Sequence, residues 1–202
     1  TADLQKALKV GYARASRIID ELEERGIVGY SRGAEPRECL VKSAEELKEA
    51  LGDADIILGI GSGVIQDLCK YVSSTSAIPY VIIATAPSMD GYASATSSMT
   101  RNGLKVSIPS KSASVIIGDV DILKNAPMEM LTSGLGDMLA KYVSICEWRI
   151  SNLINGEYYC ERVASLIRKA VKEIVDNADK LLKRDENAVQ SVFEGLILGG
   201  VA

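Results

Sequence analysis

DIILGIGSGVIQDLCKYV, Asp55 to Val72, is the stretch whose reading decides the fold. A short apolar run, Asp55 to Leu58, leads into the glycine-rich loop Gly59 to Gly63, after which Val64, Leu68 and Val72 recur at helical spacing. Strand, glycine loop, helix is an order that suits the pyrophosphate of a dinucleotide. Glycines let the backbone approach closely, and the first turn of a helix offers unsatisfied N–H groups at the positive end of its dipole. The spacing departs from the GxGxxG fingerprint, because Val64 stands where the third glycine would fall. Read alone, the loop is equally compatible with a plain turn.

Toward the C-terminus, the β-like run Tyr80 to Ala84 delivers TAPSMDGYAS, Thr85 to Ser94, at the strand end where open α/β sheets place their ligands. The hydroxyls of Thr85, Ser88 and Ser94 are candidates for ribose or phosphate, and Asp90 for a substrate hydroxyl. Leu104 to Ile108 and Ser114 to Gly118 read as further strands, and beyond Pro127 the periodicity turns helical over Met130 to Ile150 and Tyr158 to Lys183. Asp137 lies in SGLGDMLAKY, Ser133 to Tyr142, an acid within an otherwise apolar helical stretch, with Lys141 four residues on. An i,i+4 ion pair worth a few tenths of a kcal/mol is the plain account, and a carboxylate ligand to a divalent metal is the other.

Toward the N-terminus the character changes. Thr1 to Lys42 alternates basic and acidic residues on helical spacing, which puts a boundary between about 42 and 52. A short helical segment (Asp3 to Leu8), a Gly11-Tyr12 turn and an amphipathic helix with Ala15, Ile18, Ile19 and Leu22 on one face are followed by a stop at Gly26. Ile27-Val28, the turn-rich tract Gly29 to Pro36 and Cys39 to Val41 then read as a small wing. In that winged-helix order Arg14 and Arg17 sit near the start of the second helix, and Arg32 and Arg37 in the wing, where guanidinium groups reach DNA. An ordinary solvated face gives the same pattern.

Acidic residues outnumber basic ones 27 to 23, and a net charge of −4 excludes a uniformly basic nucleic-acid protein. The absence of histidine excludes a Ser-His-Asp triad, an HExxH zinc helix or a complete histidine metal site built from this chain alone. Cys39, Cys69, Cys146 and Cys160 form no CxxC pair and no signal precedes them, so reduced thiols in a cytoplasmic protein are expected. Apolar runs such as Ile56 to Ile60 fall far short of the roughly 20 residues a bilayer span needs, and no membrane insertion is expected.

GSGVIQD, TAPSMDGYAS and SGLGDMLAKY, in this order and spacing, resemble the sn-glycerol-1-phosphate dehydrogenases. These belong to the superfamily that also holds iron-dependent alcohol dehydrogenases, glycerol dehydrogenase and dehydroquinate synthase. The resemblance runs from about Ser43 to Ala202. It implies that Gly63, Val64, Ile65, Gln66 and Asp67, together with Thr85, Ala86, Pro87, Ser88 and Ser94, bind NAD(P). It further implies that Asp90 binds substrate and that Asp137 is the catalytic residue, touching substrate and ligating Zn2+. The implied activity is reduction of dihydroxyacetone phosphate to sn-glycerol 1-phosphate. That family's two histidine ligands follow a segment resembling GLILGGVA, Gly195 to Ala202, where this chain stops, so the zinc site is expected to be incomplete in this chain.

Leu4 to Val41 resembles the DNA-reading gamma domain of FtsK/SpoIIIE-type translocases, which implies contacts to double-stranded DNA from Arg14, Arg17 and Arg32, although Ala13 replaces that motif's asparagine. The expected fold is an α/β nucleotide-binding unit followed by an all-helical unit and preceded by a partial winged helix, divided at 1–42, 43–125 and 126–202. Three functions stand side by side: a dehydrogenase or an inactive piece of one, a sequence-specific DNA-binding module, and an inactive chimeric fragment.

Overall fold

The computed structural model describes Gln5, residues 11–24, Val28, and residues 44–101 and 103–202. Near the N-terminus α1 spans Tyr12–Glu24, with Ala15 and Ile19 buried and Arg14 and Arg17 exposed. Val28 forms an isolated bridge, and the remaining wing positions, Arg32 and Arg37 among them, lie outside the described residues. The segment α2, Ala44–Ala50, packs against the glycine-loop helix described next.

The α/β unit is a three-stranded parallel sheet in the order β1-β2-β5, built from β1 (Ile57–Gly61), β2 (Tyr80–Ala84) and β5 (Val115–Gly118). Register runs Ile57 to Tyr80 and Val81 to Val115. Parallel strands require a crossover, and α3, Gly63–Ser76, supplies the first. The glycine turn is tighter than the sequence reading has it, because Gly59 to Gly61 belong to β1 and Ser62 alone precedes the helix. A 3-10 turn at Asp90–Tyr92 then leads into an antiparallel hairpin, β3 (Thr96–Arg101) with β4 (Leu104–Pro109). Strand β3 carries no apolar alternation and is set by pairing, with Ser97 fully buried and its hydroxyl on Ser110 Oγ at 3.0 Å.

After the short α4 (Val120–Leu123) the chain is helical: α5 (Met128–Asn155), α6 (Glu161–Asp176), α7 (Ala178–Leu181) and α8 (Glu186–Val201). The single helix expected over Tyr158 to Lys183 is thus divided at Asn177, where φ −110 and ψ 11 leave the helical region. One apolar cluster joins sheet and helices, running from Ile57, Val72 and Ile82 through Leu123, Leu131 and Met138 to Val171 and Leu196. Among the described residues no helix is long and apolar enough to cross a membrane.

The junction between sheet and helices turns on a missing side chain. A Cβ at Gly134 on α5 would lie 3.0 Å from the Pro87 carbonyl carbon and collide with its oxygen, which is backbone and cannot rotate away. Half a turn on, Gly136 has nothing within 4 Å. Gly134→Ala should therefore lower stability by about 2–3 kcal/mol, as overpacking does. Gly136→Ala should raise it by about 0.5–1 kcal/mol through helix propensity. Urea unfolding of both variants checks the contrast.

Candidate active site

The ligand end of the sheet is assembled from three backbone segments. Gly61 closes β1, Ser62 adopts extended geometry (φ −116, ψ −151) with no side-chain cap, and α3 begins at Gly63. The neighbouring strand is tied in by Thr85 N–H to Gly61 O at 3.1 Å and by the Ser62 and Ser88 hydroxyls, 2.6 Å apart. Beneath them the fully buried Tyr92 donates its hydroxyl to Ala86 O at 2.8 Å, and burial pushes its pKa up. Gly63, Thr85, Ala86, Pro87 and Ser88 are thereby brought around one helix N-terminus, whose leading N–H groups have no intrahelical acceptor.

The other positions of the glycine-loop motif separate by direction. Val64 and Ile65 are solvent-exposed on the first turn of α3. Gln66 is fully buried and donates to Tyr80 Oη at 2.9 Å and Gly91 O at 3.2 Å, while its Oε1 has no partner among the described residues. Asp67 turns to the hairpin. Burial raises its pKa, against the Lys70 charge, the Ser98 N–H and the Lys105 charge. Ser94 Oγ accepts from Lys70 Nζ at 2.9 Å.

Asp90 meets Asp137 across the junction. The Asp90 N–H donates to Asp137 Oδ2 at 2.7 Å, and the Asp90 carboxylate is ion-paired with Lys141 Nζ. The plainer of the two sequence accounts of Asp137 pairs Lys141 with it along the helix. Instead its ammonium reaches Asp90, because Asp137 and Lys141 lie one turn apart on the same face of α5 and Asp90 sits between them and the sheet. Lys141 is the residue that sequence reasoning did not place in the site, and its four-residue spacing from Asp137 was the available signal. From above, α8 closes on the same loop: a Cβ at Gly200 would be 3.1 Å from Ser94 N, and one at Gly199 would be 3.2 Å from Lys141 Cε.

Asp137 is half-buried. Its pKa is raised by burial first and by the Asp90 charge second, opposed by the Asp90 N–H and the Lys141 charge. As a candidate metal centre the site falls short: the chain has no histidine, and no three His, Cys, Asp or Glu side chains among the described residues are grouped to hold a metal ion. A catalytic zinc takes three protein ligands, and here Asp137 Oδ2 is already engaged. The residues present do not fit that group.

A carboxyl whose folded pKa lies above its unfolded value stabilises the fold fully below the unfolded value, and this contribution is lost as pH rises through the folded one. Asp137→Asn keeps an oxygen for the Asp90 N–H and removes that loss. Its urea midpoint should gain on that of the native chain as pH is raised from about 4 to about 7. A difference that stays flat would show that the Asp137 carboxylate is not held in this environment.

Comparison with known proteins places the chain. A family model described as iron-containing alcohol dehydrogenase matches residues 8–127. Glycerol-1-phosphate dehydrogenase [NAD(P)+] of Bacillus velezensis is 32% identical over 198 residues, 98% of this chain and 48% of that protein. The enzyme of the same name from Thermococcus sibiricus is 34% identical over 168 residues, 82% of this chain and 48% of the relative. The chain thus spans about half the length of these relatives. Among solved structures, glycerol dehydrogenase from Schizosaccharomyces pombe superposes with a TM-score of 0.67 at 23% identity, over 78% of this chain and 43% of that one. An iron-containing alcohol dehydrogenase from Thermotoga maritima gives 0.62 at 18% identity, over 79% and 49%. The translocase resemblance of Leu4 to Val41 gains no support, since the Bacillus velezensis alignment takes in nearly the whole chain and the family model begins at residue 8, ahead of α1. With a family model covering more than half of its residues, the chain belongs to the iron-containing alcohol dehydrogenase family.

Proposed function

We propose that the chain carries the dinucleotide- and substrate-binding part of an NAD(P)-dependent glycerol-1-phosphate dehydrogenase. In that reaction a hydride passes from the nicotinamide to the ketone carbon of dihydroxyacetone phosphate, and the carbonyl oxygen takes up a proton to give sn-glycerol 1-phosphate. The observation that carries the reading is convergence: an open helix N-terminus at Gly63 and the gripped Asp90 face the same end of the parallel sheet. The names of the relatives that align with the chain support the same assignment.

In this reading the N–H groups at the start of α3, around Gly63, Val64 and Ile65, take the pyrophosphate. Thr85 to Ser88 and Ser94 contact the cofactor's ribose or phosphate oxygens. Gln66 and Asp67 act from beneath, through the loop and the hairpin that they hold. Asp90 accepts from a substrate hydroxyl, with Asp137 beside it. Asp137 is also the ligand this chain would offer a zinc ion, but its described neighbours supply no others, so the reading routes no step through a metal. A second reading, DNA contact through Arg14 and Arg17, rests on their exposure on α1 and requires an affinity that falls steeply with salt.

A Cβ at Gly63 meets only Met89 Cγ, at 3.8 Å, in ordinary contact and clear of backbone, so a side chain can start there while it fills the space that a pyrophosphate needs. NADH and NADPH titrated into the chain should bind saturably, and Gly63→Val should weaken binding by at least about ten-fold, or about 1.4 kcal/mol, at an unchanged urea midpoint. Absence of saturable binding, or binding indifferent to Gly63→Val, would overturn the assignment.

A further inference from the structure

Lys70 lies on α3 two helical turns beyond Gly63, about 10 Å along the axis, and has no exposed surface. Its ammonium is held by three acceptors: Gly91 O at 2.6 Å, Ser94 Oγ at 2.9 Å and Thr96 O at 2.8 Å. The nearest carboxylate, Asp67 Oδ1, stands 4.0 Å away. A lysine has three N–H donors, and here each has its own acceptor. The three acceptors are spread along the segment that joins the Asp90–Tyr92 turn to β3. Gln66, one turn earlier on α3, adds a second donor to Gly91 O at 3.2 Å.

Placing an ammonium out of water is unfavourable unless every donor is satisfied. An apolar side chain such as methionine would fill the same volume without that penalty, so packing alone does not account for a lysine at this position. What the lysine adds is a tripod of directional bonds. The tripod holds the loop's carbonyls from the α3 side, while Asp137 and Lys141 hold the Asp90 N–H and carboxylate from the α5 side. Because the same rigid helix carries the open N-terminus at its start and the tripod at its middle, α3 sets the distance between the two.

We infer that Lys70 is a positioning residue, which fixes the loop bearing Asp90 and Ser94 at a set spacing from the N-terminus of α3. The identity of what binds at each end rests on the dehydrogenase reading. The tripod itself does not.

Amide hydrogen exchange on the full chain tests it without any ligand. Lys70→Met should speed exchange across Gly91 to Ser97 by about ten-fold or more, with β1 and the start of α3 unchanged. Val72→Ala is the control: Val72 is equally buried and points to the other side of α3, so its loss should weaken protection without singling out that loop. Should Lys70→Met not fold, Ser94→Ala removes one leg of the tripod and should give a smaller increase confined to the same amides. In binding titrations, Lys70→Met should lose about ten-fold in affinity for dihydroxyacetone phosphate and clearly less for NADH, which meets the held loop at Ser94 alone and otherwise binds at the start of α3. A merely structural lysine would lower both by the same factor. Loop exchange unchanged in both variants, or raised no more than in Val72→Ala, overturns the inference. If the native chain binds neither compound, the dehydrogenase reading fails while the exchange pattern still decides the role of Lys70.

Discussion

The close approach of the Pro87 carbonyl to Gly134 is the contact on which the rest of the site depends. The segment Thr85 to Ser94 leaves the sheet at the end of β2 and must reach α5, and a side chain at 134 would hold it off by the width of a methyl group. With that methyl absent, residues one and two turns further along the same helix face, Asp137 and Lys141, come within bonding reach of Asp90. The approach also lets the apolar cluster run unbroken from the sheet into the helices, with Leu131 and Met138 of α5 fully buried beside it. The α/β part and the helical part therefore share one core.

Charge is layered around the loop. Asp90 and Asp137 are two carboxylates in one half-buried site, and their repulsion is relieved by Lys141 and by a backbone N–H. Burial, and behind it the Asp90 charge, outweighs that relief, which is why Asp137 retains an upward shift. A perturbed carboxylate beside a strand end is a feature of functional sites, and it coincides here with the helix N-terminus at Gly63. Beneath the loop lies Lys70, shielded from water and bound to neutral oxygens, its pKa lowered by burial against the charges of Asp67 and Asp90. Two lysines thus face one loop in opposite roles, Lys141 pairing with its carboxylate and Lys70 with its carbonyls.

Much of this was legible in the linear pattern. The apolar run Tyr80 to Ala84 is β2, and the apolar period from Val64 to Val72 is part of α3. Local periodicity and turn residues act over a few residues, so they can be read over a few residues. Strand β3 could not be read this way: TSSMTR has no alternation, and it is extended because β4 pairs with it. Helix α8 escaped for the opposite reason. Gly195, Gly199 and Gly200 lower its helix propensity, and they are accommodated because the helix packs against Ile174, Lys141 and the Asp90 loop.

By itself, then, the sequence determined which residues could form strands, the glycine turn and the helix that follows it, and which acids and hydroxyls were available for chemistry. These are properties of short windows, fixed by sterics and spacing. Tertiary structure alone decided that Lys141 would pair with an aspartate 51 positions away in preference to the one four positions away, and that Gln66 and Lys70 would face inward to hold the Asp90 loop. Those choices depend on where α5 crosses the end of the sheet. That crossing is set by close packing between segments distant in sequence, which no local pattern encodes.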